Sequence, residues 1–333
     1  MKYPRLALSS LLLLACCAAM SGPDPVAEAM DDAGRAFLAA LTEEQRERCS
    51  FELSHHERTA WTYLPGDREG VMIGELSAEA RAALTGLMQS ALSSGGYLKA
   101  EGVLILESVL NVLQPNANRD PGRYAVTVFG APGEGPWGWS LEGHHISLNF
   151  TQDSEGARAT PLMFGVAPAI VKSGPHTGLR VLGAEVDLAR ALIDSLDETQ
   201  LAAASLSGDR PTDVVMVPAR SEALKARGLA AAALNAAQRE LLFDLVSEYT
   251  GNLSPARARR ELARVRALSP GDLRFAFTGD AETGLFYYRL IGGDISFEYA
   301  AIGNDPNHAH ALWRDLSQDF GADLLQEHLE EEH

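Results

Sequence analysis

The chain predicts an α+β fold: an antiparallel sheet built from a central and a C-terminal β block and covered by helices. Three observations support this. Strand-like segments gather in two blocks, residues 123–166 and 273–301, and do not alternate strictly with helices. The turns inside the blocks are hairpin turns, such as Gly292-Gly293-Asp294. The intervening stretches repeat their apolar residues at helical spacing.

In chain order, Val26, Met30, Phe37, Leu38 and Leu41 place a helix over 26–48, and Thr42-Glu43-Glu44-Gln45 reads as a capping box that opens a second one. Trp61 to Leu64 predicts a strand ending at Pro65-Gly66. Ser77–Leu92 predicts a helix stopped by Gly95-Gly96, and Ala100–Leu113 a further helix stopped near Pro115. The central block follows: Arg123–Phe129, a Gly/Pro loop, a long strand from Trp137 to Thr151, and a third strand over Pro161–Val166. Helices return at 186–206, with a β-like run at Val214–Val217. Asn235–Tyr249 is amphipathic, and Ser254–Leu268 is arginine-rich. The last block predicts strands at Leu273–Thr278, Leu285–Ile291 and Ile295–Ala301, then a helix over Leu312–Leu329. If both β blocks share one sheet, residues 22–333 form a single α+β domain.

The first 21 residues predict an export signal. Lys2 and Arg5 precede an apolar run, Leu6–Leu14, that is too short for a mature membrane helix, which needs about 20 residues. Leu13-Leu14-Ala15-Cys16 has the form of a lipobox, which makes Cys16 the lipidation site and directs the chain to the periplasm or cell surface. The 333-residue chain carries a formal charge of −17, and removing its first fifteen residues takes away two bases and no acid. Such a surface repels nucleic acid and anionic headgroups, so the expected membrane contact is the lipid alone. Three cysteines, one of them at the lipobox, give no disulfide framework.

Candidate chemistry gathers in two segments. Glu142-Gly143-His144-His145-Ile146-Ser147 lies in the long central strand, where alternation would turn His144 to an apolar face and His145 to a polar row with Ser147 and Asn149. Asn307-His308-Ala309-His310 has the His-x-His spacing that reaches one metal ion from an extended backbone. In a helix the two rings would diverge by about 200°, and Asp305-Pro306 also reads as a helix start. Glu298, inside a β-rich strand, is costly unless paired or solvated, and offers a metal ligand, a general base or a partner for Arg289. Trp137, Trp139, Tyr288 and Arg289 are candidates for a small-ligand pocket. No Gly-rich phosphate loop, Gly-x-Ser-x-Gly elbow or His-Glu-x-x-His is present, and nothing points to a nucleotide, flavin or haem.

Arg119-Asp120-Pro121, Val128-Phe129-Gly130, Pro136-Trp137-Gly138-Trp139, Glu142-Gly143-His144-His145, Tyr287-Tyr288-Arg289, Glu298-Tyr299, Asn307-His308-Ala309-His310, Trp313-Arg314-Asp315 and Asp319-Phe320-Gly321 together resemble an exported bacterial family catalogued as domain of unknown function 3500. The resemblance spans most of the mature chain. It implies one large domain, brings no established activity, and places the His-His and His-x-His segments in one family pattern.

Two functions are therefore expected. The first is an exported, lipid-anchored protein with a divalent metal (zinc, copper or iron) held by His144, His145, His308 and His310, acting as a hydrolase or oxidoreductase with Glu298 as base. The alternative is a metal-free extracytoplasmic protein that binds a small ligand in an aromatic pocket. Under either, the partner is an unidentified small molecule.

Overall fold

The computed structural model describes residues 25–115, 119–153, 156–219 and 227–321. The signal segment with Cys16 lies outside the described residues, as does the expected helix beyond residue 321 with His328.

The helices are α1 (Pro25–Ala40), α2 (Glu43–Cys49), α3 (Ala78–Ala91), α4 (Ser94–Leu113), α5 (Gly183–Asp194), α6 (Glu198–Ala204), α7 (Ala236–Thr250) and α8 (Pro255–Ala267). The strands are β1 (Ser50–Phe51), β2 (Val71–Met72), β3 (Ala125–Phe129), β4 (Trp137–Gly143), β5 (Ile146–Asp153), β6 (Gly156–Arg158), β7 (Leu162–Val166), β8 (Leu229–Ala230), β9 (Arg274–Asp280), β10 (Leu285–Gly292), β11 (Ile295–Ile302) and β12 (Asp305–Asp315). The fold is α+β. Twelve strands form one sheet whose main path runs β1-β3-β4-β5-β7-β12-β11-β10-β9-β8, with β2 against β3 and β6 against β5. Every pairing except β1 with β3 is antiparallel. The two β blocks meet where β7 pairs with β12, with Gly165 opposite His310.

One face of the sheet is apolar. Trp139, Leu148, Phe150, Phe164, Phe297 and Trp313 join a core with residues of α1, α3, α4, α5 and α7. Alternation along the strands turns Met163, Tyr287, Ala300 and Leu312 the other way, into a smaller cluster. That second face is covered by irregular chain at 61–63 and 206–217, whose side chains pack on the cluster. Among the described residues, no helix is long and apolar enough to cross a membrane.

Several local expectations hold and several need correction. Thr42 and Gln45 form the expected capping box. The break between Leu41 and Glu43 divides the 26–48 helix in two. Gly95-Gly96 does not stop a helix: α4 begins at Ser94 behind the Ser93 cap, and a Cβ on Gly96 would lie 2.1 Å from the Asn252 carbonyl oxygen, so glycine permits the contact. Trp61–Leu64 and Val214–Val217 are not strands. The amides of Val215 and Met216 donate to the Glu298 carboxylate in place of a strand ladder. The long strand expected from Trp137 to Thr151 is two strands joined at His144-His145. Leu312–Asp315 ends strand β12 and does not begin a helix. Its apolar residues Ala309, Ala311 and Trp313 alternate with period two and face the core.

Candidate metal centre

The site begins with the two-residue turn between β4 and β5. Gly143 and Ile146 form the last pair of the hairpin, which leaves His144 and His145 as its tip. His145 has φ +67°, a left-handed conformation that a side chain other than glycine or asparagine adopts at a cost of about 1–3 kcal/mol. The surroundings hold it there: its amide donates to the Tyr63 carbonyl at 3.0 Å, and its carbonyl accepts from the Gly165 amide at 2.6 Å.

His308 and His310 come from β12, where extended backbone sends residues i and i+2 to the same side. The strand therefore satisfies the condition under which His-x-His converges. One ligand atom from each of His145, His308 and His310 lies within 4.8 Å of the other two. His145 Nε2 and His308 Nε2 are 2.9 Å apart. His310 turns Nδ1 to the Asp213 carboxylate at 2.7 Å, while its buried Nε2 has no hydrogen-bond partner among the described residues. Tyr63 donates its hydroxyl to the other Asp213 oxygen at 2.8 Å, and its ring meets His310 edge-on. Gly165 makes the room, because a Cβ there would lie 2.8 Å from His310 Cδ2 and 3.0 Å from His145.

The electrostatics favour neutral imidazoles. Burial, reinforced by the neighbouring histidines, holds His145 well below the usual imidazole range. Burial and His310 push His308 down to about 4. Burial alone would raise Asp213, but hydrogen bonds from His310 and Tyr63 keep its carboxyl below the ordinary value. Metal ligation requires ring nitrogens free of protons, which the lowered values of His145 and His308 favour, and a carboxylate on the far nitrogen, which Asp213 gives His310.

His144 is next to the trio but is not turned into it. Its ring lies tilted by 30° against that of His145 with centroids 3.6 Å apart, its Nδ1 meets Glu107 Oε2 of α4 at 2.6 Å, and Arg119 Nη1 lies 2.8–2.9 Å from its two nitrogens. The expectation that alternation would separate the two histidines is corrected: a hairpin tip does not alternate, so their rings lie together. Glu298 is fully buried and shares its carboxylate between the Tyr287 hydroxyl and the amides of Val215 and Met216. It stands apart from the histidine trio and fixes the segment that begins at Asp213. The expected pocket residues are dispersed. Trp137 is buried with Nε1 on Asp31, Trp139 stacks on Phe150, and Tyr288 bonds Tyr249 in the core. Arg289 lines a separate surface cavity of about 360 Å³ with Arg227 and Thr278.

Asp213, Tyr63, Glu107 and Gly165 gave no local sign in the sequence. They lie 97, 82, 37 and 20 residues from the histidines they serve.

The fold and site together define an α+β protein with a buried His145/His308/His310 group that could hold a metal ion. The chain belongs to the family described as "Protein of unknown function (DUF3500)", whose model matches residues 24–322. No curated protein and no solved structure matches it.

Proposed function

We propose that this protein binds one divalent transition metal through His145, His308 and His310 and uses it as a metal-dependent enzyme outside the cytoplasm, tethered by a lipid on Cys16. The observation that carries the proposal is the convergence of three imidazoles from two β blocks, with Asp213 on the far nitrogen of His310 and Nε2 left for the ion. Three nitrogen ligands without a thiolate suit zinc, copper or iron. They leave a position for water or substrate, which is how catalytic sites differ from closed structural ones. The half-buried His308 gives the group a side toward solvent. Glu298 is not the base in this scheme, because its oxygens are already engaged. Export and lipidation rest on Lys2, Arg5, Leu6–Leu14 and the Cys16 motif. The aromatic-pocket alternative is the weaker reading, since Trp137, Trp139 and Tyr288 are core residues.

Elemental analysis of the chain purified without a histidine tag tests the proposal. One equivalent of zinc, copper or iron is expected, with loss of that metal in His145→Ala and in His308→Ala while both remain folded by circular dichroism. Stoichiometric metal retained in both variants would overturn the ligand assignment.

A further inference from the structure

Arg119 is placed unlike Arg264 and Arg210, which are also half-buried. Arg264 meets Glu261 and Asp315, and Arg210 donates to three backbone carbonyls. Arg119 instead places Nη1 against the imidazole of His144, at 2.9 Å from Nδ1 and 2.8 Å from Nε2. Among the described residues no carboxylate stands within ion-pair distance of it, although the chain carries 45 acids against 28 lysines and arginines. The imidazole of His144 is itself engaged by Glu107 Oε2, at 2.6 Å from its Nδ1. A guanidinium has five N–H donors in a planar fork shaped for oxyanions, and here only Nη1 is engaged among the described residues.

The placement matters because the His144 ring lies directly against that of His145, with centroids 3.6 Å apart. Arg119 therefore stands one imidazole ring beyond a member of the trio. A metal ion held by the trio would add further positive charge nearby.

We infer that the substrate of this site is a small-molecule oxyanion, a carboxylate or a phosphate, anchored by Arg119 while an adjacent group of the molecule occupies the open position on the metal. The inference rests on the metal site proposed above.

The test uses the full chain loaded with cobalt(II), whose visible bands report on the open coordination position. Metal stoichiometry is measured first in the wild type, Arg119→Gln and Arg119→Lys. The proteins are then titrated with acetate, with inorganic phosphate and with chloride, a one-atom anion that binds metal without reaching Arg119. For whichever of acetate and phosphate binds the wild type more tightly, affinity should fall roughly tenfold or more in Arg119→Gln. It should fall less in Arg119→Lys, and chloride affinity should not change. The tighter of the two oxyanions identifies the group recognised. Unchanged oxyanion affinity in Arg119→Gln, an equal loss for chloride, or no response of the cobalt-loaded wild type to either oxyanion overturns the inference and leaves the metal site standing. If Arg119→Gln loses cobalt, Arg119→Lys decides by the same two comparisons. Failure of the wild type to take up cobalt removes the metal site, and this inference with it.

Discussion

Two buried polar clusters in this molecule are built in opposite ways. Between α4, α5 and α7, Lys99 donates to Glu185 at 2.6 Å and to Glu248 at 2.7 Å, so that charge meets opposite charge. At the seam of the two β blocks, three imidazoles aim nitrogens at one another, and His310 Nε2 meets nothing among the described residues. The Lys99 cluster already pairs opposite charges, although Glu185 Oε2 has no hydrogen-bond partner among the described residues, and Glu298 is held by its tyrosine and two amides. The histidine cluster lacks a central charge. The difference is one of charge: acids face a lysine in one cluster, and in the other three imidazoles face one another in a group that could hold a metal ion.

The largest effect expected from this contrast is at the Lys99 cluster. Lys99→Met leaves Glu185, which is 1% exposed, without its counter-charge, and should cost about 3–5 kcal/mol. Thermal unfolding should register this while metal content is retained. A loss below about 1 kcal/mol would erase the distinction between the clusters.

Gly165→Ala acts on the seam itself. The new Cβ would crowd His310 and His145 together. About 1–3 kcal/mol of stability should be lost by denaturant titration, with metal affinity reduced alongside it. Stability lost without any change in metal affinity would show that the trio tolerates displacement.

Glu142 sharpens the comparison through pH. Burial pushes its carboxyl up to about 7, against the pull of the Ser147 hydroxyl and Arg68. A raised carboxyl contributes stability below its unfolded value, near 4.5, and loses it as pH rises through about 7. Glu142→Gln should therefore leave stability nearly unchanged at pH 4 and raise it by about 3 kcal/mol at pH 8. A parallel shift at both pH values would contradict the assignment.

The smallest expected effect is at the histidines. His308 is depressed to about 4. Its contribution in the metal-free protein is present above the ordinary imidazole value and is lost as pH falls from about 6.5 to about 4. His308→Ala should flatten that part of the stability profile and change stability at pH 8 by less than about 1 kcal/mol, because the ring is only half-buried and its hydrogen-bond contact is a single one, with His145 Nε2.

The sheet and most helices were legible because their signals are local. Thr42-Glu43-Glu44-Gln45 announces α2, and Gly292-Gly293-Asp294 announces the β10–β11 turn. The site was legible in its residues but not in its geometry. The histidine pairs stand out in the chain, yet Trp137–Thr151 contains no glycine-asparagine turn to mark the tip. His145 enters the left-handed region only because Tyr63 and Gly165, far away in sequence, hold it. Asp305-Pro306 carries a helix-start signal that pairing with β11 and β7 overrides in β12. Asp213 is invisible beforehand, since its place on His310 depends on the buried Glu298 that fixes the amides of the next residues but one, Val215 and Met216.

The most direct measurement of the central claim is X-ray absorption at the edge of the metal found in the purified chain. Three imidazole nitrogens at about 2.0–2.1 Å, with one oxygen ligand completing the shell, is the predicted result for zinc. A shell containing sulfur, or one of oxygens alone with no imidazole scattering, would contradict it.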